Sequence, residues 1–372
     1  MGRKERDLIE SFLSEAQIKP GGQRPWDIQI HDERLFSRVW SDGSMGVGES
    51  YMQGWWDAIQ LDRFFEKVFE AGLHDRIKKS IHTYALFLKN RLLNTQTVKR
   101  SLEVGLSHYD CGIDLFERML DKRLIYSCAY WNKADNLDQA QEEKLDLICR
   151  KLQLKPGLRI LDIGCGWGGL LQYAAEKYGV EGVGVTISSS QAGYGQKLCR
   201  ELPVEIRLED YRNIKEEFDR VVSVGMIEHV GAKNYPRLMK VVDRCLKPDG
   251  LFLLHTIGSN YSVSHTDPWI ERYIFPNSML PSLSQLEGAV GPYFRLEDFH
   301  SFGPYYDRTL MAWDQNFRNR WHEISDKYDE TFYRMWRYYL MSSAASFRVR
   351  RIQLWQLLYC PHERKRLVST VR

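Results

Sequence analysis

Residues 158–169 read LRILDIGCGWGG, and no other stretch limits the fold so tightly. A strand-prone apolar run from Leu158 to Ile163 carries one acid, Asp162. It then breaks into Gly164, Gly166, Gly168 and Gly169, and a helical pattern opens at about Trp167. A strand feeding a glycine turn and then a helix N-terminus is how α/β sheets hold nucleotide-like ligands. Glycine lets the ligand approach the backbone, and the helix start offers unpaired N–H groups. The chain is therefore expected to bind an adenosine-containing cofactor.

Two cofactors compete for this loop. The spacing Gly164-x-Gly166-x-x-Gly169 satisfies the dinucleotide fingerprint, which is weak evidence by itself. A dinucleotide site wants an acid at the end of the second strand, yet EGVGVTIS (181–188) ends in Thr186. Bulky Trp167 also sits where a pyrophosphate needs small neighbours. The acid two residues before the first glycine, in D-I-G-C-G, instead resembles motif I of S-adenosylmethionine (SAM) methyltransferases. There the acid organises the loop around the amino-acid end of the cofactor. SAM is preferred to NAD, and a tight turn that binds nothing is the bland alternative.

The rest of the chain fits an α/β enzyme with an appendage. Its 372 residues suffice for one large domain and a smaller one. The seven cysteines form no Cys-x-x-Cys pair, so neither a disulfide framework nor a metal site is expected. No apolar run is long enough to span a membrane, and the N-terminus reads as an amphipathic helix rather than a signal peptide. A cytoplasmic location follows.

The net charge of +3 is unevenly spread. Residues 76–102 hold seven Lys/Arg and no acid, and residues 347–372 hold seven Lys/Arg and only Glu363. Ile77, Ile81, Tyr84, Leu88 and Leu92 fall near helical spacing, as do Phe347, Ile352, Trp355, Leu358 and Tyr359. Both segments are candidate basic amphipathic helices for an anionic bilayer surface. The alternative is that their apolar faces pack on the core. No nucleic-acid-reading motif accompanies the charge, so no nucleic-acid partner is expected.

Residues 1 to about 75 read as short helices with glycine-rich breaks. The pattern predicts a small, mainly helical N-terminal domain over 1–90 and a catalytic domain over 91–372. Strands are predicted at 158–163, 182–187, 204–209, 218–224 and 250–256, with helices at 137–154, 167–178, 189–200 and 234–246. That alternation implies a parallel, doubly wound sheet. Residues 258–290 interrupt it and read as a lid insertion. Two further strands are predicted near 292–299 and 308–313, before a helical, aromatic C-terminal region.

Ligands in such sheets bind outside the carboxyl ends of the strands. Thr186 and Gln191 are placed to hydrogen-bond a ribose, and Asp210 to accept from an adenine amino group with Tyr211 over the ring. Glu228 and His255 end adjacent central strands and can converge; burying both without a task is costly. Cys128, without a local base pattern, reads as a small buried hydrophobe.

YSCAYW (126–131), LDIGCGWGG (161–169), GVTIS (184–188), SVGMIEHVG (223–231), LLHTIGS (253–259), DPWIERYIFPN (267–277), YDRTLMAW (306–313) and RIQLWQ (351–356) together resemble the cyclopropane-fatty-acyl-phospholipid synthases. GESYMQGWWD (48–57) resembles the N-terminal domain of the bacterial phospholipid branch. The resemblance implies a class I SAM-methyltransferase, Rossmann-like fold. It also implies transfer of a methylene group from SAM to the cis double bond of a membrane phospholipid's acyl chain. A carbocation forms and is deprotonated by bound bicarbonate. Matching motifs assign the anion site to Cys128, Glu228, His255, the backbone of Ile257 and Tyr306, with Tyr305 a competitor for the last place. They assign Tyr126, Ser127, Gly164, Gly166, Thr186 and Gln191 to the cofactor, beside Asp162, Asp210 and Tyr211. Cys128 then has no nucleophilic role.

A cation on the acyl chain needs faces that stabilise it without reacting, each worth about 0.5–2 kcal/mol. Tyr130, Trp131, Trp269, Tyr273 and Phe275 are candidates. Peripheral docking on the inner face of the membrane follows from the embedded substrate, and a homodimer through the N-terminal domain is a further expectation. The rival readings are a SAM enzyme leaving a methyl- or methylene-branched chain, a methyltransferase of a soluble small molecule, and a non-catalytic membrane-binding protein.

Overall fold

The computed structural model of the chain describes residues 2–73, 112–366, 368, 371 and 372. The basic stretch 76–102 lies outside the described residues. In chain order, the first elements are α1 (Gly2–Glu15), β1 (Gln29–Ile30), α2 (Arg34–Asp42), α3 (Ser44–Met52), β2 (Trp56–Asp57), α4 (Leu61–Glu70), α5 (Ile113–Met119) and α6 (Leu137–Lys151). The sheet region follows with β3 (Arg159–Ile163), α7 (Gly169–Tyr178), β4 (Glu181–Thr186), α8 (Ser189–Leu198), β5 (Val204–Leu208), β6 (Phe218–Val224), α9 (Tyr235–Cys245) and β7 (Leu246–Ser259). The remainder comprises α10 (Pro268–Tyr273), α11 (Leu283–Val290), β8 (Phe294–Ser301), α12 (Pro304–Arg320), α13 (Glu330–Arg348) and β9 (Ile352–Pro361).

These elements form two compact units. The first takes the described residues up to Leu73 together with Ser264–Pro276 and Tyr306–Ile352; the second takes the other described residues. The units are thus discontinuous in sequence. The segment read as a lid is shared out: its residues 264–276 join the first unit.

The first unit is built on aromatic packing. Trp56 stacks obliquely on Phe64 at 4.8 Å, Phe65 meets Tyr338 edge-on at 4.9 Å, and Trp269 lies 4.3 Å from Tyr338. Trp269 is fully buried, which makes it core rather than an exposed cation face. A Cβ at Gly48 would come within 2.3 Å of the Trp269 indole, so only glycine fits there. Arg348 gathers Asp62, Glu66 and Asp307, each at 2.8–2.9 Å.

In the second unit, seven strands pair in the order β5-β4-β3-β6-β7-β9-β8. β5, β4, β3, β6 and β7 pair parallel with one another in that order, and β8 runs antiparallel to β9. Alternate residues serve opposite faces, as the strand period of two requires. Leu161, Val183, Val221 and Phe252 belong to one buried cluster, and Ile160, Ile206, Val222 and Leu253 to the other. Helix starts are fixed by side-chain caps: Asn136 accepts from Gln139 N and Ser188 from Gln191 N.

Two sequence expectations fail here. Residues 308–313 are not a strand; they lie within α12. Residues 352–361 are not part of a basic amphipathic helix; they form β9, inside the sheet, with every residue after Ile352 buried. Trp355, Leu358 and Tyr359 are therefore core residues, and no apolar face of this strand is left for lipid.

Candidate active site

The glycine turn sits where the first crossover strand ends. Gly164, Gly166 and Gly168 have φ of 86°, 55° and 87°, the left-handed region that glycine occupies at little cost. A Cβ at Gly169 would fall 2.4 Å from the carbonyl oxygen of Arg123, so the helix can start there only with glycine. One cavity lies over this turn. Its lining includes Tyr126, Ser127, Asp162, Gly164, Gly166, Thr186, Gln191, Asp210 and Tyr211, the whole set assigned to the cofactor from sequence.

Each wall has a local cause. The segment 124–131 is held against α6: Tyr130 N donates to Ala140 O, and the buried Gln141 amide donates to the carbonyls of Ile125 and Ser127 at 3.3 and 2.8 Å. Asp121 fixes its start by accepting from Ile125 N at 2.8 Å and Arg123 N at 2.9 Å. Thr186 Oγ1 donates to Gln191 Oε1 at 2.8 Å, which ties the end of β4 to α8. Asp210 caps a short turn by accepting from Arg212 N at 2.9 Å. Tyr211 is buried and its hydroxyl has no partner.

Asp162 is a strongly perturbed group in this wall. It is buried, its Oδ1 has no partner, and burial pushes its carboxyl up to about 7 against the opposing pull of Lys144. Lys144 itself also lines the cavity. Sequence reading missed it, since QEEKLD reads as an exposed helical stretch. The one available signal was its place one turn after Ala140 on the apolar side of α6.

A second cluster adjoins the cavity. Glu228 sits in the turn after β6, and its Oε1 accepts from Thr256 Oγ1 at 2.9 Å and Ile257 N at 2.7 Å. Its Oε2 is buried without a partner, and burial pushes the carboxyl up to about 7. His255 lies on β7 opposite Val224 of β6. Gln356 Nε2 donates to its Nδ1 at 3.2 Å, which in this amide orientation leaves the ring proton on Nε2, a buried atom with no partner. Burial and the charges of Lys144, Lys151 and His300 hold His255 neutral, well below the usual histidine range. Met226 and His229, flanking Glu228, and Val224, opposite His255, are in the cavity wall.

The remaining predicted residues are placed as follows. Ile257 uses its amide on Glu228, and its carbonyl, 2.8 Å from Thr256 Oγ1, competes with Glu228 Oε1 for that hydroxyl's one hydrogen. Cys128 is fully buried and its thiol donates to Ala129 O at 3.2 Å. Tyr306 belongs to the first unit, where it stacks on Phe347 at 4.5 Å. Tyr305 belongs to the second, edge-on to Tyr130 at 5.4 Å. Thr256, the hydroxyl that shares Glu228 with Ile257, was not singled out from sequence.

A family model for mycolic acid cyclopropane synthetase matches residues 96–357. The chain is 52% identical over 352 residues to the cyclopropane-fatty-acyl-phospholipid synthase of Escherichia coli (strain K12), covering 95% of this chain and 92% of that protein. It is 31% identical over 356 residues to the tuberculostearic acid methyltransferase UfaA1 of Mycobacterium tuberculosis, covering 87% and 80% respectively. Among solved structures, the mycolic acid cyclopropane synthase CmaA1 complexed with SAH and CTAB aligns with a TM-score of 0.64 at 33% identity, over 69% of this chain and 97% of that one.

Proposed function

The chain belongs to the mycolic acid cyclopropane synthetase family of SAM-dependent methyltransferases, and we propose that it cyclopropanates the cis double bond of an unsaturated phospholipid acyl chain. The observation that carries this reading is the pair of buried atoms Glu228 Oε2, in the turn after β6, and His255 Nε2, on the neighbouring strand β7, beside the cavity and without partners among the described residues.

SAM supplies an electrophilic methyl group when bound. The chain's own residues fit its binding: the Asp162 Oδ1 without a partner, the left-handed glycine turn and the Tyr211 ring face are the features such a ligand would use. Bicarbonate, when bound, supplies a small base for removing a proton from the newly transferred methyl. Glu228 and His255 fit an oxyanion because burial favours the neutral form of each, and in that form both can donate: the carboxyl through Oε2 and the imidazole through Nε2. An ionised Glu228 would repel the same anion, so its burial is part of the site. Thr256 and Ile257 N fix the orientation of the carboxyl by holding Oε1. Tyr130, packed edge-on between the rings of Phe302 and Tyr305 at 5.3 and 5.4 Å, belongs to an aromatic cluster of the kind suited to a cation.

The substrate is taken from a bilayer, so the enzyme works as a peripheral protein on the inner membrane face. Among the described residues no helix is long and apolar enough to cross a membrane. The experiment is product analysis: protein, SAM, bicarbonate and vesicles of cis-monounsaturated phospholipid, followed by mass spectrometry and proton NMR of the acyl chains. A chain heavier by one CH₂ with high-field ring protons supports the proposal; no lipid product refutes it. The similarity to UfaA1 favours one second reading, a branched product from the same cation, and an olefinic or methyl signal at the expected mass would establish it.

A further inference from the structure

Lys144 has no ordinary reason to be where it is. Its side chain is 1% exposed on α6, a helix with solvent-facing positions to spare, and a buried ammonium is costly unless it is well paired. Among the described residues no carboxylate lies within ion-pair distance of Nζ, and its hydrogen bond is to Ser127 Oγ at 2.8 Å. Anchoring the 124–131 segment does not require it, because the neighbouring Gln141 already holds two carbonyls of that segment.

The direction of the Ser127 bond is informative. An ammonium only donates, so Ser127 Oγ accepts with a lone pair and keeps its own hydrogen to give away. Ser127, Lys144 and Asp162 all line the one cavity. Its lining therefore presents a cation, a hydroxyl donor and an acceptor, Asp162 Oδ1, which is buried and has no partner among the described residues. Lys144 feels the charge of the buried Asp121 most and that of Asp162 as well, with neither carboxylate at ion-pair distance. A separated cation and carboxylate in one dry pocket are the complement of a zwitterion that spans them.

We propose that Lys144 is a positioning residue for the carboxylate of the cofactor's amino-acid end, acting through Ser127 and by its own charge, while Asp162 takes the ammonium. This rests on the SAM reading of the cavity given above. Lys144 also supplies a positive charge that keeps Asp162 ionised enough to serve, since it is the one influence opposing that residue's burial.

The test compares two ligands by calorimetric titration: S-adenosylhomocysteine, and 5′-methylthioadenosine, which keeps the nucleoside and thioether but lacks the amino-acid end. Lys144→Met is expected to weaken S-adenosylhomocysteine about 10- to 100-fold, the range of a charge-assisted hydrogen bond, and to leave methylthioadenosine unchanged. Lys144→Arg restores part of the loss. Ser127→Ala, which deletes one oxygen and disturbs packing little, shows the same selectivity and carries the test if Lys144→Met fails to fold. Equal weakening of both ligands, or of neither, overturns the proposal. A wild-type protein that binds neither ligand overturns the SAM reading itself.

Discussion

Replacing Glu228 with glutamine is expected to stabilise the protein at alkaline pH while removing most ring formation. Burial raises this carboxyl from 4.5 to about 7. The folded chain thus holds the proton more tightly than the unfolded chain does. The stability this supplies is fully present below the unfolded value and is lost as pH rises through the folded one. At about 1.4 kcal/mol per pH unit of separation, an ionised Glu228 at pH 8 costs the fold roughly 3 kcal/mol, against less than ~1 kcal/mol at pH 5. Glutamine cannot ionise, and its Oε1 still accepts from Thr256 and Ile257. Asp162 and the other titrating groups are common to both proteins and cancel in the difference. Urea unfolding at pH 5 and pH 8 reads the effect. The variant should gain roughly 3 kcal/mol over wild type at the higher pH and little at the lower. A variant no more stable at pH 8 than wild type, or equally favoured at both values, would refute the account of Glu228 as a strained buried acid. Retained cyclopropanation would separately remove it from the anion site.

Three other outcomes are expected. Asp162→Asn should weaken S-adenosylhomocysteine binding about 10- to 100-fold by titration, and unchanged affinity would take Asp162 out of the cofactor site. Gly258→Ala would place a methyl 2.1 Å from the Trp355 ring, at an expected cost of about 1–3 kcal/mol in urea unfolding; a neutral result would mean the indole swings clear. Binding to anionic vesicles should weaken with added salt, because residues 76–102 carry seven cations and no acid. Equal sedimentation with neutral and anionic vesicles would sink that electrostatic docking.

The parallel core was legible because strand, glycine turn and helix follow each other with strong punctuation. Observed β3, β4, β5 and β6 begin and end within a residue or so of the predicted spans. The two misread segments share a cause. In α12, the buried Tyr306, Leu310, Trp313 and Phe317 recur at helical spacing, but the short aromatic run YDRTLMAW also suits a strand when read alone. In β9, burial on both faces erases the alternation that marks a half-exposed strand, and the remaining apolar spacing imitates a helix. That the residues assigned to the cofactor would share one cavity was readable because most of them follow strand ends. Lys144 and Thr256 were not, since their importance comes from burial and from the partner each one holds.

The position of β9 has a consequence for how the protein is made. β9 lies between β7 and β8 in the sheet but follows both in the chain, after the whole segment 302–351. While the polypeptide is being synthesised, β7 therefore waits with an unpaired edge, and β8 has no strand to join. Such an edge invites pairing with other chains, and the late long-range pairing predicts slow final folding. Gln356, which holds the His255 ring, arrives on that last strand. His255 is thus set in place by the same step that closes the sheet, so a nascent chain completes this corner of the candidate site only when it loses its stickiest surface.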